Sequence, residues 1–325
     1  MHVLVIGAAG MLGVKLGTRL ARDGIPGQPA ISRLTRFDFV HSPPISAPFP
    51  VDTLTGDLSA PGKAAELIAL RPDLIVHLAA IVSGEAEKDF DKGYRINLTA
   101  TQNLLEAIRA ERDYKPRFLF TSSIAVFGAP FPDAIADDFF TTPLTSYGTQ
   151  KAIGELLISD YSRRGFLEGV SLRMPTVCVR PGKPNLAASG FFSNIIREPL
   201  NGLPAVLPVP DTVRHWHASP RAATGFLLKA AAMDLGLLGN RRTLNMPGLS
   251  CTVAEQIEAL RRLAGNDVVA LIRTEPDEAI MKIVAGWPRN FSTDRARSLG
   301  FSAEASFDEI ITAHIEDELT PTPAT

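Results

Sequence analysis

The chain has 325 residues, which allows one large domain or two of moderate size. It is 45% hydrophobic and 21% charged, and this ordinary globular composition excludes a disordered chain, a collagen-like fibre and a disulfide-dense mini-protein. The net charge of −2 leaves no basic excess to neutralise a phosphate backbone, so nucleic acid is not expected as the main partner.

The first half of the chain predicts strands that alternate with helices. Residues 2–6 form a β-branched apolar run typical of a buried strand, and a helical spacing of apolar residues follows it. The next predicted elements are a strand over 33–39, a Pro-rich loop over 41–50, a helix near 62–70, a strand near 73–78, a helix near 90–111, a strand over 117–121, a helix near 145–164 and a strand over 169–174. This alternation indicates βαβ units and a parallel sheet.

The pattern weakens after Pro175, which marks an expected domain boundary. Residues 181–220 are rich in proline and predict one short helix near 191–200. The remaining predicted elements are helices near 220–233, 252–264, 292–299 and 306–318, and strands at 242–246 and near 268–273. Residues 320–325 are expected to be a frayed end.

Cysteine usage and hydropathy narrow the class of protein further. Cys178 and Cys251 do not form a CxxC pair, so neither a disulfide framework nor a zinc site is expected, and a reducing cytoplasm is the expected compartment. No apolar run approaches the ~20 residues of a membrane helix, and the N-terminus lacks the features of a signal peptide. No His, Asp and Glu set has the spacing of metal ligands, so no metal is expected.

A glycine-rich turn joins the first predicted strand to the first predicted helix. Gly7, Gly10 and Gly13 have the spacing GxxGxxG, with Met11 inside the pattern. Glycine permits the tight turn, the close approach of backbone N–H groups to a pyrophosphate, and the packing of helix on strand. The pattern therefore predicts a dinucleotide site, and the alternative is a glycine-rich turn without a ligand.

Three further strand or loop ends are candidates for cofactor contact. Asp38 ends the second strand, where a carboxylate accepts hydrogen bonds from an adenosine ribose and repels a 2′-phosphate, so NAD is favoured over NADP. The alternative for Asp38 is a solvated strand-end acid. Asp57 and Leu58 fit either the adenine edge or a simple helix cap. The next strand ends at Leu78, Ala79 and Ala80, whose small alanines leave room for a dinucleotide.

Tyr147 and Lys151 lie four residues apart on a predicted helix, so their side chains share one face. A cation favours the phenolate, so this pair predicts a general base near neutral pH. Ser123 ends the strand over 117–121, at the edge where parallel sheets bind ligands. Asn97 lies further upstream in the helix near 90–111. The alternatives are an exposed Tyr–Lys pair, a serine cap and an ordinary helical asparagine.

Together these segments resemble the extended short-chain dehydrogenase/reductases, the NAD-dependent epimerase/dehydratase family, over nearly the whole chain. The resemblance depends on Gly7, Gly10 and Gly13, Asp57-Leu58, His77–Ala80, Asn97, TSSIAVFG at 121–128, SYGTQK at 146–151 and the segment that begins Arg173-Met-Pro175. It implies that Ser123 binds the substrate oxygen, Tyr147 is the acid/base, and Lys151 lowers its pKa and binds the nicotinamide ribose. It further implies a proton-relay role for Asn97 and contact between the nicotinamide amide and Pro175 and Thr176.

The segment over 208–220 departs from the members that act on nucleotide sugars, because prolines replace its glycines and the usual aspartate is missing. The segments 79–97, 146–166, 180–200 and 214–223 resemble instead a branch that oxidises four-carbon sugar acids with NAD. This resemblance implies oxidation of the C2 hydroxyl of D-erythronate to 2-oxo-tetronate. The alternatives are a nucleotide-diphospho-sugar epimerase or dehydratase with tightly bound NAD, and a dinucleotide sensor without catalysis.

A small acid needs a cation for its carboxylate, and several arginines lie in the expected cleft-side segments. Arg214 is the first candidate and Arg173 the second, and the others are Arg180, Lys183 and Arg197. The expected ligands of the substrate hydroxyls, besides Ser123 and Tyr147, are Ser83, Ser193, Asn194, His215 and His217.

The expected fold is α/β, a Rossmann-type doubly wound parallel sheet with a smaller C-terminal substrate domain. Residues 1–175 with about 213–245 form the predicted NAD-binding domain, and residues 176–212 and 246–325 form the predicted substrate domain. The resemblance also implies a homodimer formed through the helices near 90–111 and 145–164.

Overall fold

The structure is a computed structural model that describes residues 1–182 and 188–319. Its strands are β1 (His2–Ile6), β2 (Arg33–Asp38), β3 (Val51–Thr55), β4 (Leu74–His77), β5 (Arg117–Ser123), β6 (Glu168–Met174), β7 (Thr176–Val177), β8 (Ala205–Leu207), β9 (Arg214–Ala218), β10 (Thr243–Asn245), β11 (Leu249–Thr252) and β12 (Ile272–Thr274). Its helices are α1 (Met11–Asp23), α2 (Lys63–Ile68), α3 (Ser83–Lys88), α4 (Phe90–Gly93), α5 (Ala100–Ala110), α6 (Ser146–Arg163), α7 (Gly190–Leu200), α8 (Pro220–Ala232), α9 (Val253–Ala264), α10 (Asn266–Val269), α11 (Glu278–Ala285), α12 (Asp294–Ser298) and α13 (Phe307–His314). A π-helical turn, Tyr94–Thr99, joins α4 to α5.

Seven parallel strands form the central sheet, in the order β10-β6-β5-β4-β1-β2-β3. The strand order reverses between β1 and β4, and this switch point is where open α/β sheets bind ligands, at the carboxyl ends of the strands. The glycine-rich turn follows β1 directly, so it lies at the switch point. The predicted fold class is confirmed.

Helices cover both faces of this sheet because alternate side chains of a strand point to opposite sides. On β1, Val3 and Val5 pack into a core that includes residues of α1 and α8. Leu4 and Ile6 pack into a second core that includes residues of α2, α5 and α6. All four side chains are fully buried, so the strand is apolar throughout, as the sequence predicted.

A smaller part of the molecule packs at the carboxyl edge of the sheet. It contains a three-stranded sheet in the order β11-β9-β7 and a parallel pair of β8 and β12. Phe192 of α7, Leu260 of α9 and Ile310 of α13 are among the fully buried side chains of its core. The central sheet and this smaller part enclose the cleft described below.

The course of the chain between the two parts bears on the predicted domain limits. Within the segment 213–245, β10 is an edge strand of the central sheet and α8 packs on α1, whereas β9 belongs to the three-stranded sheet. Ala296 and Phe301, which the sequence assigned to the substrate domain, pack in the core beside the central sheet. The domain limits remain a prediction.

Most predicted elements are present within a few residues of their predicted limits. The strand expected near 268–273 is partly wrong, because residues 266–269 form α10 and only Ile272–Thr274 are extended. The sequence reading missed α3, α11 and the strands β3, β7, β8, β9 and β11. These strands contain two to five residues, and in most of them polar side chains interrupt the apolar run.

The structure also describes the two cysteines and the length and hydropathy of the helices. Cys178 and Cys251 are free and buried, and burial raises the pKa of each thiol to about 12. In the part of the chain that the structure describes, no helix is both long and apolar enough to cross a membrane. The expected frayed end at 320–325 lies outside the described residues.

Candidate active site

A cleft of about 480 Å³ lies at the carboxyl edge of the central sheet, between the two parts of the molecule. Predicted site residues that line it are Gly7, Gly10, Met11, Gly13, Leu78, Ala80, Ser83, Ser123, Tyr147, Lys151, Pro175, Thr176, Ser193 and Asn194. These predicted residues come from six separate segments of the sequence.

The glycine-rich turn forms one wall of the cleft. Gly7 has a φ of +90°, and a Cβ atom there would lie 2.6 Å from the Ala79 backbone nitrogen. A Cβ atom at Gly13 would overlap the Gly7 carbonyl oxygen. Because α1 starts at Met11, its unpaired backbone N–H groups face this wall, as an anion site requires. Side chains at Gly7 and Gly13 would collide with the backbone, so these glycines allow the tight turn that brings the start of α1 to the cleft.

The end of β2 borders the glycine-rich turn. The Asp38 Oδ2 atom accepts a hydrogen bond from the Ala9 backbone nitrogen at 2.8 Å, so the carboxylate is held beside the turn. Asp57 hydrogen-bonds the Ser59 backbone at 2.8 Å and pairs with Arg95, and Leu58 is buried in the core. Asp57 thus closes a local turn, which favours the structural alternative over adenine contact.

Ser123 and Tyr147 meet where β5 ends and α6 begins. Gly148 permits this approach, because a Cβ atom there would overlap the Ala125 carbonyl oxygen. Thr145 caps α6 by accepting from the Gly148 nitrogen at 3.1 Å. Ser123 hydrogen-bonds the Tyr147 phenol. A substrate oxygen can therefore reach both hydroxyl groups.

Burial raises the pKa of Tyr147, while its hydrogen bond with Ser123 and the charge of Arg180 oppose this shift. Burial also lowers the pKa of Lys151 to about 7, against the charge of Glu155. The Lys151 Nζ atom donates to the Thr121 carbonyl at 2.8 Å and lies 5.7 Å from the centre of the Tyr147 ring. Arg180 is thus a cation that lowers the pKa of Tyr147. The expected effect of Lys151 on this pKa remains a prediction.

Asn97 lies in the π-helical turn and is buried behind the cleft. Its side chain accepts from the Ile81 nitrogen at 2.9 Å, donates to the Ile81 carbonyl at 3.3 Å, and donates to the Gln150 amide oxygen at 2.8 Å. Asn97 therefore fixes the segment after Ala80 against α6. Its expected proton-relay and cofactor roles remain predictions.

Thr176 and His215 form a hydrogen-bonded pair in the wall of the cleft. His215 Nδ1 lies 2.8 Å from the Pro288 carbonyl, which can only accept, so Nδ1 carries the proton and Nε2 accepts from the Thr176 hydroxyl at 2.7 Å. Burial lowers the pKa of His215 to about 4, so the ring is neutral near pH 7. The Thr176 oxygen is left as an acceptor for a ligand.

Two arginines line the cleft, Arg180 and Arg197. Arg197 pairs with Glu198 and also donates to the Asn194 side chain at 2.7 Å. Arg180 donates to the Val177 carbonyl at 3.0 Å and to the Ser189 hydroxyl at 2.9 Å. Among residues 1–182 and 188–319, no carboxylate lies within 4.0 Å of Arg180. Of the two arginines, Arg180 is therefore the one whose charge no described carboxylate neutralises. Lys183 lies outside the described residues.

Three predicted substrate ligands, Arg173, Arg214 and His217, do not line the cleft. Arg173 is buried and forms an ion pair with Glu155 at 2.9 Å, so its charge is already compensated. Arg214 pairs with Glu255 at 3.2 Å, on the face of β9 opposite to His215, and does not line the cleft. His217, on the same face as His215 but deeper, is fully buried and lies 3.0 Å from the Gln256 amide.

The sequence reading also missed part of the cleft wall. Ile283, Trp287 and Pro288 line the cleft from α11 and the turn after it. The helix α11 was not predicted, and its eight residues lie about 100 positions from Arg180 in sequence. The one available signal was the stretch Ile280–Val284, whose apolar residues have helical spacing.

The parallel sheet, the glycine-rich turn and the Ser–Tyr–Lys cluster define a dinucleotide-binding enzyme. Residues 3–229 match the family described as the NAD dependent epimerase/dehydratase family, and the chain belongs to it. Two curated relatives are D-erythronate dehydrogenases, one from Cupriavidus necator at 50% identity, covering 98% of both chains, and one from Haemophilus influenzae at 41% identity, covering 98% of this chain and 100% of the relative.

A crystal structure described as a nucleoside-diphosphate-sugar epimerase from Agrobacterium tumefaciens has a TM-score of 0.95 to this chain. The two are 62% identical, and the match covers 98% of this chain and 94% of the other. The names of these relatives therefore point to two different substrates, a four-carbon sugar acid and a nucleotide sugar.

Proposed function

We propose that this protein is an NAD-dependent dehydrogenase that oxidises the C2 hydroxyl of a small sugar acid, D-erythronate, to 2-oxo-tetronate. The observation that carries the proposal is the cleft itself. It holds an acid/base, Tyr147, and an arginine, Arg180, that has no carboxylate partner among the described residues. The two D-erythronate dehydrogenases, similar over nearly their full length, support the same substrate.

The cofactor is NAD, and the residues around the glycine-rich turn fit it. Gly7 and Gly13 allow the tight packing of the turn that brings the start of α1 to the cleft, and the Asp38 carboxylate beside the turn can accept hydrogen bonds from a ribose. The Thr176 oxygen can accept from the nicotinamide amide. When bound, NAD supplies a hydride acceptor for C2 of the substrate.

Tyr147 removes the proton from the C2 hydroxyl while the hydride leaves C2, so the alcohol becomes a ketone. Ser123 binds the same oxygen and keeps it in line with the phenol. The positive charges of Lys151 and Arg180 favour the phenolate form of Tyr147. Binding the reacting oxygen and the carboxylate at two separate points fixes C2 relative to the cofactor.

Arg180 binds the substrate carboxylate. Its guanidinium is close enough to Tyr147 for each to shift the pKa of the other, so one small molecule can reach both. Ser193, whose hydroxyl accepts from the Arg180 backbone nitrogen at 3.0 Å, and Asn194 are in position to contact the remaining hydroxyls. Ser83 lines the cleft from the start of α3.

The second candidate is a nucleotide-diphospho-sugar epimerase or dehydratase, which the description of the Agrobacterium tumefaciens structure favours. Arg214 lies in the segment 208–220, which departs from the members that act on nucleotide sugars, and it pairs with Glu255 outside the cleft. This feature favours the small acid.

Two further properties belong to this proposal. We place the enzyme in the cytoplasm, the compartment that its low cysteine content predicts, and we expect a homodimer through α5 and α6. The apolar side chains of Phe90 and Leu156 support this arrangement, because they are 58% and 68% exposed on α4 and α6.

The test is a side-by-side measurement of NAD reduction and product formation. D-Erythronate, a four-carbon polyol without a carboxylate, and a set of nucleotide-diphospho-sugars are assayed at equal concentrations. The proposal predicts NADH formation with D-erythronate and far less with the polyol. Efficient conversion of a nucleotide sugar without net NADH formation would instead establish the second candidate.

A further inference from the structure

Arg36 is a fully buried arginine in the middle of β2. Among residues 1–182 and 188–319, no carboxylate lies within 4.0 Å of its guanidinium, and its Nε atom has no hydrogen-bond partner. Burial lowers the pKa of Arg36, as expected when a charge is removed from water without an ion pair. A buried cation of this kind costs free energy in the empty protein, so its presence needs an explanation.

The guanidinium contacts the glycine-rich turn. Arg36 Nη2 donates to the Ala8 carbonyl oxygen at 3.3 Å, and Nη1 donates to the Pro43 carbonyl oxygen in the Pro-rich loop. Arg36 thus joins two loops that both lie at the carboxyl end of β2. One of them is the turn that would hold the cofactor diphosphate.

Asp38 binds the other end of the same peptide group. Its carboxylate accepts from the Ala9 nitrogen at 2.8 Å, and the Ala8 carbonyl and the Ala9 N–H belong to one peptide bond. Because Arg36 and Asp38 are two residues apart in a strand, they share a face. Between them, the Phe37 carbonyl accepts from the Gly7 and Ala8 nitrogens at 2.9 and 3.2 Å. Three consecutive residues of β2 therefore fix the turn.

We propose that Arg36 is a cofactor-affinity residue, which holds the Ala8–Ala9 peptide in place and sets a buried positive charge behind the turn that the diphosphate of a bound dinucleotide neutralises. This inference rests on the dinucleotide-binding role proposed above. A turn held in one conformation loses less entropy when the ligand binds. A buried charge interacts with an anion more strongly than an exposed one, because water screens it less.

The experiment compares the binding of three ligands to the full-length protein by isothermal titration calorimetry: NAD, ADP-ribose and adenosine. Only the first two contain a diphosphate. We expect Arg36→Met to weaken NAD and ADP-ribose by about 10- to 100-fold, the range for one hydrogen bond to a charged group. Adenosine should lose less than about 3-fold. Arg36→Lys keeps the charge and loses the paired donors, so its losses should be smaller than those of Arg36→Met.

The matched control is Arg117→Met. Arg117 is also a partly buried arginine that donates to a backbone carbonyl, that of Ala231. It is the first residue of β5, so it lies at the amino ends of the strands, away from the cleft. This control should bind all three ligands like the unmutated protein. Thermal unfolding without ligand tests whether each variant is folded.

Three results would overturn the proposal. The first is a folded Arg36→Met variant that binds NAD and ADP-ribose normally, and the second is an equal loss of adenosine binding. The third is normal binding by Arg36→Lys if Arg36→Met does not fold. If the unmutated protein binds neither NAD nor ADP-ribose, the dinucleotide function itself fails, so the two failures are distinguishable.

Discussion

The Tyr147 phenol and the Lys151 ammonium lie one helical turn apart on α6, and burial acts on the pKa of each so as to favour its neutral form. For the phenol, a hydrogen bond from Ser123 and the charge of Arg180 oppose this shift of the pKa. For the ammonium, the charge of Glu155 opposes it. At the scale of the residue, the chemistry therefore depends on a few charges in a site with little water.

Replacing Tyr147 with phenylalanine removes the proton-transfer group and keeps the ring. We expect kcat for D-erythronate to fall by at least about 10²-fold, the lower range for a positioned acid/base, with NAD affinity nearly unchanged. Tyr161→Phe is the control, because Tyr161 is also on α6 but hydrogen-bonds Glu106. Initial rates and calorimetric titration measure both quantities. Near-normal turnover by Tyr147→Phe would contradict the assigned mechanism.

The pH dependence of oxidation follows from the direction of the Tyr147 shift. A base works in its deprotonated form, so a raised pKa moves the rising part of the rate profile to higher pH. We expect kcat/KM to increase with pH from about 7 to about 10. His215 should add no inflection in this range, because its pKa is lowered to about 4. A flat profile over the same interval would argue against Tyr147 as the base.

Arg180→Met tests the carboxylate contact. The loss of one hydrogen bond to a charged group corresponds to about 1.5–3 kcal/mol, so kcat/KM for D-erythronate should fall roughly 10- to 150-fold. The polyol without a carboxylate should be affected less, because it loses only the effect of Arg180 on the pKa of Tyr147. Arg214→Met is the control, since Arg214 lies outside the cleft. The assignment fails if acid and polyol suffer alike, or if the control shows the larger loss.

At the scale of the element, strand β2 organises the cofactor side of the cleft. Its carboxyl end binds the glycine-rich turn through Arg36, Phe37 and Asp38. Its outer neighbour is β3, an edge strand that pairs with it in parallel from Leu34 to Asp38. The sequence of β3 shows no continuous apolar run, because two of its five residues are exposed and the other three are half-buried. For this reason only the folded sheet reveals this strand.

Asp38→Asn separates the charge of this strand end from its hydrogen bond. The amide oxygen can still accept from the Ala9 nitrogen, but the negative charge that repels a 2′-phosphate is lost. We expect the unmutated enzyme to have higher initial rates with NAD than with NADP. In the variant, the difference between the two rates should be smaller. Asp52→Asn, on β3 and paired with Arg33, is the control. Equal use of both cofactors by the unmutated protein would show that Asp38 does not face the ribose.

At the scale of the whole molecule, the cleft exists because two differently built cores meet at the edge of one sheet. The large sheet contributes the turn, Ser123 and Tyr147, whereas the smaller part contributes Ser193 and Trp287. The same edge carries the cofactor and the substrate, so both ligands should add to the stability of the assembled protein.

The quaternary prediction also belongs to this scale. We expect a homodimer in sedimentation velocity measurements, and we expect Leu156→Glu to shift it toward monomer because a charge would be buried at the contact. Leu237→Glu is the matched control, since Leu237 is 66% exposed but lies on a turn far from α6 in sequence. A monomeric unmutated protein, or a dimer that Leu156→Glu leaves intact, would refute the arrangement.

Local spacing determined much of what this protein is. The turn Gly7–Gly13 and the pair Tyr147 and Lys151 depend on neighbours within seven residues, so their arrangement follows from the geometry of a strand-to-helix turn and a single helix. The alternation of apolar strands with amphipathic helices likewise predicted the parallel sheet. These features need no knowledge of distant contacts.

Only the tertiary structure decided which charges face the cleft. The sequence alone does not distinguish the charges of Arg173, Arg180 and Arg214. In the structure Glu155 neutralises Arg173 and Glu255 neutralises Arg214, whereas no described carboxylate lies near Arg180. The outcome for Arg214 depends on which face of β9 meets the cleft, since its neighbour His215 points into it. The carboxylates that neutralise Arg173 and Arg214 are 18 and 41 residues away in sequence. A sequence pattern cannot show these ion pairs, because burial and the direction of each strand face are decided only when the elements pack.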